Sequence, residues 1–282
     1  MKFKIMNGKK IAQKMQKKIK KIVLKRKIKK LSIPGLAIIL IGNDCASKIY
    51  VKNKIIACKK VGFKLKIFYL KENILELKIL KILKKLNKNP KIHGILLQLP
   101  IPKNLNLIKL IKKISFKKDV DGLNYNYKKL FFQKKKYFES CTVLGIMHLL
   151  KKYKINLKKL NILIIGNSNL IGKPMALKLL SYGYTVTITN KFTKNLKSYL
   201  KIAQVIIIAI GKPNFLNKKY LRKGVIIIDV GINFIKNKII GDVNFKSVQS
   251  KSSYITPVPG GVGPMTITFL LKNTLNSCIK NI

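Results

Sequence analysis

The chain has 282 residues, 48% of them hydrophobic, which is enough to bury the cores of roughly two domains and excludes a disordered polypeptide. Its 61 basic residues against 8 acidic ones give a net charge of +53, yet lysine runs from Lys2 to Lys280 and no single block holds it. With Ile and Asn also abundant, this reads as the composition of an A/T-rich genome; a nucleic-acid-binding protein has the charge alone in its favour, because no zinc module, recognition helix or aromatic-studded basic strand accompanies it.

In chain order, apolar residues recur at helical spacing among lysines from Gly8 to Lys30, and "LAIILIG" (Leu36 to Gly42) is a buried strand. Asn43 or Asp44 caps a helix that runs to Val61, with Gly62 as its stop. "KLKIFYL" is a strand, Asn73 to Asn87 a helix, Ile92 to Leu99 a strand and Leu105 to Ile114 a helix. "KKDVDGLN" and an irregular patch around Phe131 and Phe132 follow. Unbroken apolar strands alternating with helices predict a parallel sheet covered on both faces.

A second α/β domain opens near Cys141, where Thr142 caps a linking helix to Tyr153. In "NILIIGNSNLIGKPMALKLL" (Asn161 to Leu180) a strand feeds a loop with Gly166, Ser168 and Gly172, and Pro174 stands at the first position of the following helix. Such a turn aims free N–H groups and a positive dipole end at an anion, although G-x-S-x-x-x-G is not the dinucleotide fingerprint, and an ordinary βα turn also uses glycine. Strands at Thr185 to Thr189, Val205 to Ile210 and Val225 to Asp229, a hairpin around Lys236 to Lys238, a strand "YITPV" and a closing helix to Cys278 complete a doubly wound, Rossmann-like pattern. The domains are therefore 1–140, joined by the closing helix 265–282, and 141–264.

Several groupings carry chemistry. Tyr50 and Lys54 stand four apart on one helix and so project within about 40° of each other. In so lysine-rich a chain, Lys54 also reads as a surface lysine. Gln98, at the carboxyl end of a parallel strand, and Asp119 and Asp121 in the next loop occupy the region where open α/β sheets bind ligands. A buried lysine of lowered pKa is a competent acid or base near neutral pH. "TPVPGGVGPMT" (Thr256 to Thr266) is a rigid loop that lets a ligand reach its backbone. Cys45, Cys58, Cys141 and Cys278 form no C-x-x-C pair and only two His are present, so no metal site is expected and a reducing compartment is. The N-terminus lacks the features of a signal peptide and no apolar run approaches the ~18 residues of a membrane span, so the expectation is a soluble, cytoplasmic protein without a membrane partner.

"IGNDCASKIYVKNK", "HGILLQLPIP", "KKDVDGLN", "GNSNLIGKP", "AIGKPNF", "IDVGIN", "GDV" and "ITPVPGGVGPMT" follow the order and spacing of bifunctional methylenetetrahydrofolate dehydrogenase/methenyltetrahydrofolate cyclohydrolases, which the chain resembles over essentially its whole length. The resemblance implies oxidation of 5,10-methylenetetrahydrofolate to the methenyl cation with NADP, then hydrolysis to 10-formyltetrahydrofolate. This is one-carbon metabolism serving purine and amino-acid biosynthesis. It further implies a homodimer paired through the cofactor domain and an active-site cleft between two α/β domains. Carried over residue by residue, Lys54 is catalytic, Gln98 holds it in its working state, Tyr50 packs on the folate, and Asp121 accepts hydrogen bonds from the pterin. Pro259, Gly260 and Gly261 border the folate, while Gly166, Asn167, Ser168, Gly172 and Ile232 fall at cofactor-binding positions.

The chain departs from that pattern at Asn167, where the family has arginine, at Thr189-Asn190-Lys191 in place of Cys-His-Ser, and at Ser140-Cys141-Thr142-Val143 in place of Pro-Cys-Thr-Pro. These departures bear on cofactor preference. No acidic residue ends "TVTIT" to bind both ribose hydroxyls as NAD enzymes do, and Lys191 and Lys194 offer charge to a 2′-phosphate. The expectation is NADP with weakened discrimination; the alternatives are an enzyme with one of the two activities, or with NAD.

Overall fold

Apolar runs without alternation become strands buried on both faces. The computed structural model describes residues 3–124, 138–235 and 238–280, and the chain forms two units, one of Gln13–Cys141 with Ile267–Ile282, the other of Met1–Ala12 with Thr142–Thr266. The opening residues thus group with the second half, where the sequence reading counted them with the first. The cause is a parallel pairing of Lys4–Ile5 (β1) with Ser252–Ile255 (β11), far apart in sequence.

In the first unit, Gly35–Ile41 (β2), Lys64–Leu70 (β3) and Gly94–Leu97 (β4) form a parallel sheet in the order β3-β2-β4. Helix α1 spans Gly8–Ile28, α2 Cys45–Val61, α3 Glu76–Lys88 and α4 Leu107–Lys113. Ile39, Ile41, Leu97, Ile79, Leu83 and Leu110 meet in one core, each such side chain contributing about 1.5–3 kcal/mol by leaving water. The α3 helix starts at Glu76 and not at Asn73. Phe131 and Phe132 lie outside the described residues.

In the second unit, Ile162–Ile165 (β5), Val186–Thr189 (β6), Val205–Ile208 (β7) and Val225–Asp229 (β8) join β1 and β11 in one parallel sheet of order β1-β11-β8-β7-β5-β6. Connections run outward in both directions from β5, so the crevice of this doubly wound sheet lies at the carboxyl ends of β5 and β7. Helix α5 is Cys141–Lys152, α6 Gly172–Leu180, α7 Leu196–Ile202 and α8 Phe245–Val248; α9, Val262–Lys280, starts in this unit and from Ile267 belongs to the first. Asn233–Ile235 (β9) and Lys238–Ile240 (β10) pair antiparallel as the expected hairpin, whose connecting residues 236–237 lie outside the described ones.

Some boundaries move. Thr142 lies inside α5 and does not cap it. The strand expected to run through "YITPV" stops at Ile255. Pro174 is the third residue of α6, which begins at Gly172; the first four N–H groups of a helix have no intrahelical acceptor, so proline is accommodated there as well as at the first position.

Candidate active site and cofactor loop

The first site is built on α2. Asp44 caps this helix by accepting the Ser47 N–H at 2.7 Å, and Gly62 ends it at φ 85°, a left-handed conformation that suits glycine. The buried stripe of α2 runs through Ser47, Val51, Lys54, Ala57, Cys58 and Val61, so Lys54 holds a position that helical periodicity assigns to the core. Among the described residues it is the buried lysine, 8% exposed.

Its partner comes from the sheet. Gln98 follows β4, its N–H donating to Ile39 O at 2.9 Å, and its side chain accepts a hydrogen bond from Lys54 Nζ to Oε1 at 2.8 Å. The amide orientation is set by its other end, because Gln98 Nε2 donates to Leu99 O at 2.7 Å. The same carbonyl accepts from Ser47 Oγ at 3.3 Å. Ser47 went unnoticed in the sequence, although it stands seven residues before Lys54 on the same helical face.

Burial drives the Lys54 amine below its ordinary pKa, opposed most by the Asp121 carboxylate and then by the Cys141 and Cys58 sulfurs. A desolvated ammonium loses hydration that its neighbours only partly replace, which favours the neutral amine. Burial raises the Tyr50 phenol to about 12 and the Cys58 thiol to about 12, so both stay protonated at neutral pH. The buried Cys141 thiol is raised well above its usual range and donates to Val120 O at 3.2 Å.

The two aspartates of "DVDG" separate. Asp119 turns inward, accepting the N–H groups of Asn124 at 2.7 Å and Leu123 at 3.3 Å, and so fixes the loop. Asp121 remains half-buried and is the charge that acts most strongly on Lys54. Lys54, Gln98 and Asp121 thereby form one electrostatic group, with Tyr50 one turn before Lys54 on α2.

The second site is the loop from β5 to α6. Gly166 sits at φ 111°, and a Cβ there would collide with the carbonyl of Ala209 beyond β7; a Cβ on Gly172 would collide with the Gly166 carbonyl. The two glycines therefore let the helix start, the β5 loop and the β7 loop approach one another at the crevice. Ser168 Oγ accepts from the Ile171 N–H at 3.2 Å, leaving Asn167 and Ser168 exposed along the loop. The Gly166 N–H donates to Thr189 O at 3.0 Å, which brings the end of β6 beside it. There Asn190 and Thr193 close a turn (Asn190 N–H to Thr193 Oγ1, 2.9 Å) that presents Lys191 with its amine 4.8 Å from the Phe192 ring. Ile232 is 39% exposed just after β8.

The Pro259-Gly260-Gly261 loop belongs to the same unit. Gly260 O accepts from the Lys9 N–H at 2.8 Å, and Gly8 leaves no room for a side chain against the Gly261 carbonyl. Sequence reasoning gave no role to Asp229 and Asp242, which lie in the "IDVGIN" and "GDV" motifs and are both buried. The signal was available, since they are two of only eight acidic residues in a chain of +53.

The pattern of the tetrahydrofolate dehydrogenase/cyclohydrolase catalytic domain matches residues 6–121, and that of the NAD(P)-binding domain of the same enzymes matches residues 140–282. The chain belongs to the tetrahydrofolate dehydrogenase/cyclohydrolase family. Within this family it is 53% identical to a Buchnera aphidicola subsp. Cinara cedri (strain Cc) protein named bifunctional protein FolD, over 99% of this chain and 100% of that one. Among solved structures it superposes on a Campylobacter jejuni methylenetetrahydrofolate dehydrogenase/cyclohydrolase with TM-score 0.94 and 41% identity, each chain covered completely. The Trypanosoma brucei enzyme, solved with NADP cofactor and an inhibitor, gives TM-score 0.94 at 28% identity over 99% of this chain and 98% of that one. The two-domain α/β architecture expected from the sequence is the architecture of the tetrahydrofolate dehydrogenase/cyclohydrolase family.

Proposed function

We propose that the chain oxidises 5,10-methylenetetrahydrofolate with NADP and hydrolyses the resulting methenyl cation to 10-formyltetrahydrofolate. The observation that carries this reading is the buried Lys54 amine, hydrogen-bonded to Gln98 within reach of the Asp121 charge, in a chain of this family. When bound, the nicotinamide supplies the hydride acceptor. Gly166 and Gly172 keep the loop clear of side chains, as a pyrophosphate approaching the backbone requires, and Asn167, Ser168 and Ile232 border that path.

In the hydrolysis, Lys54 takes one proton of the water that adds to the methenyl carbon and passes it to the ring nitrogen as the carbon–nitrogen bond opens, while the remaining hydroxyl proton leaves to solvent as the formyl C=O forms. Gln98 Oε1 accepts a hydrogen bond from a Lys54 N–H and so directs the amine's lone pair away from itself. Tyr50 lies against the folate with a phenol that stays protonated, Asp121 accepts from the pterin, and Pro259, Gly260 and Gly261 border the substrate. Such positioned proton transfer is worth about 10²–10⁴ in rate. The product feeds one-carbon transfer to purines and amino acids.

We further read the protein as a cytoplasmic homodimer paired through the cofactor unit. Supporting this, β6 is an edge strand, and Ile188 on it and Leu180, Tyr182 and Phe192 near it are exposed. No helix among the described residues is long and apolar enough to cross a membrane.

The test is a pair of spectrophotometric assays: formation of methenyltetrahydrofolate with NADP or NAD, and decay of methenyltetrahydrofolate with no cofactor. Both activities, with NADP preferred, are expected. Absence of cofactor-free hydrolysis leaves a dehydrogenase only, and a clear kinetic preference for NAD overturns the cofactor assignment.

A further inference from the structure

Asp229 and Asp242 stand at the carboxyl end of the second unit's sheet, 3% and 0% exposed. Their carboxylates collect donors from three segments, which backbone bonds also join: the Asn214 N–H donates to Gly241 O at 3.2 Å and the Leu216 N–H to Asp242 O at 3.0 Å. Asp242 Oδ2 accepts the N–H groups of Ile210 at 2.7 Å and Gly211 at 3.0 Å, in the loop after β7. Asp242 Oδ1 accepts from Asn233 Nδ2 at 2.9 Å, one residue beyond Ile232 in the segment after β8. Asp229 in turn accepts the N–H groups of Gly231 at 2.9 Å, Asp242 at 3.1 Å and Val243 at 3.0 Å. Space is reserved for this pair: a Cβ on Gly231 would strike the Asp242 carboxylate, and one on Gly241 would strike that of Asp229.

The loop held by Asp242 is the far wall of the cofactor crevice. Ala209, immediately before the two amides it binds, is the residue whose carbonyl lies against Gly166. A carboxylate hydrogen-bonded by three donors is a stiff tie, because bonds to a charged acceptor are shorter and stronger than neutral ones.

We infer that Asp242 is a positioning residue for the nicotinamide cofactor: it clamps the β7 loop at Ile210–Gly211 and the β8 segment at Asn233, and so fixes the crevice wall opposite Gly166 and the path bordered by Ile232. It touches neither substrate nor reacting atoms in this role. The inference rests on the cofactor assignment made above. Its consequence is a division of labour, in which loss of the clamp weakens cofactor use and leaves the Lys54 chemistry intact.

The experiment compares wild type with Asp242→Asn, in which an amide nitrogen meets either the two backbone donors or Asn233 Nδ2. NADP binding is measured directly by titration calorimetry, dehydrogenase KM and kcat are determined, and cofactor-free methenyl hydrolysis serves as the internal control. In the variant the Kd and KM for NADP should rise about tenfold or more, with kcat at saturating cofactor within about threefold and hydrolysis within about twofold of wild type. Unchanged NADP affinity in the folded variant overturns the inference, as does a parallel loss of hydrolysis and dehydrogenation. If wild type itself does not bind NADP, the cofactor assignment fails instead. Should Asp242→Asn not fold, Asn233→Ala removes one donor and leaves both carboxylates; it should raise the Kd a few-fold, about threefold, and an unchanged Kd refutes the clamp.

Discussion

Lys54 Nζ lies 2.8 Å from Gln98 Oε1, and that oxygen faces the amine because the other end of the same amide is bonded to Leu99 O at 2.7 Å. The lysine thus has a fixed acceptor that carries no charge. A glutamate there would favour the protonated amine; a glutamine orients it and leaves burial to set its protonation.

Replacing Lys54 with methionine keeps the length of the side chain and removes the amine. Cofactor-free methenyl hydrolysis should fall by about 10²–10⁴, with folate binding retained within a few-fold. Hydrolysis at the wild-type rate would remove Lys54 from its role.

Gln98→Glu tests the uncharged acceptor. A carboxylate at this distance stabilises the ammonium and reverses the lowering that burial causes. Because the neutral amine acts and is lost as pH falls through its pKa, the acid limb of the hydrolysis profile should move to higher pH by at least ~1 unit. An unmoved limb would mean that a different group titrates.

Asn167→Arg restores the guanidinium expected beside a ribose 2′-phosphate. The ratio of kcat/KM for NADP over NAD should increase about tenfold, and Lys191→Ala should reduce it, since Lys191 is held beside the Gly166 loop by the Asn190–Thr193 turn. Kinetics with both cofactors decide this; equal effects on NAD and NADP would contradict it.

Asp119 stands at about 6, above its ordinary 3.8, because burial outweighs the amide hydrogen bonds from Asn124 and Leu123. Between about pH 4 and 6 the folded chain therefore keeps a proton that the unfolded chain has released, so the Asp119 contribution to stability falls as pH rises through this window and is level above it. Urea unfolding from pH 4 to 8 should show the decline, to which the buried Asp229 carboxyl, raised to about 7, adds its own; Asp119→Asn should lose the Asp119 share, about 1–3 kcal/mol, while being less stable throughout. Parallel profiles for the two proteins would exclude Asp119 as the cause.

With a formal charge of +53, self-repulsion opposes the folded state, and screening relieves it. The melting temperature should climb between low and moderate salt. A flat or falling trend would show that the lysines are spaced widely enough not to matter.

The central strands β2, β4, β5, β7 and β8 were legible because each is a short apolar run flanked by turn residues, and α2 because Asp44 and Gly62 are the residues that begin and end helices for stated chemical reasons. The candidate site was legible in its members but not in their division of roles. Asp119 and Asp121 carry the same chemistry two residues apart, and only the loop conformation turns one onto backbone amides and leaves the other facing Lys54. Pro174 misplaced a helix start by two residues because every position in a first turn tolerates proline alike. The pairing of Lys4 with Tyr254, and the tie between Asp242 and Ile210, join distant segments, and no local periodicity encodes them.

The boundaries between the two units fall within α1, α5 and α9. Residues near the carboxyl terminus complete the first unit: Asn273 donates to Val120 O at 2.9 Å, Ser277 to His93 O at 2.7 Å and Cys278 to Ser32 O at 3.3 Å. The half that was begun early therefore cannot acquire these hydrogen bonds until residues 273–278 have been synthesised. The part carrying Lys54 is started early in synthesis and finished last, and no single cut in the gene would yield it intact.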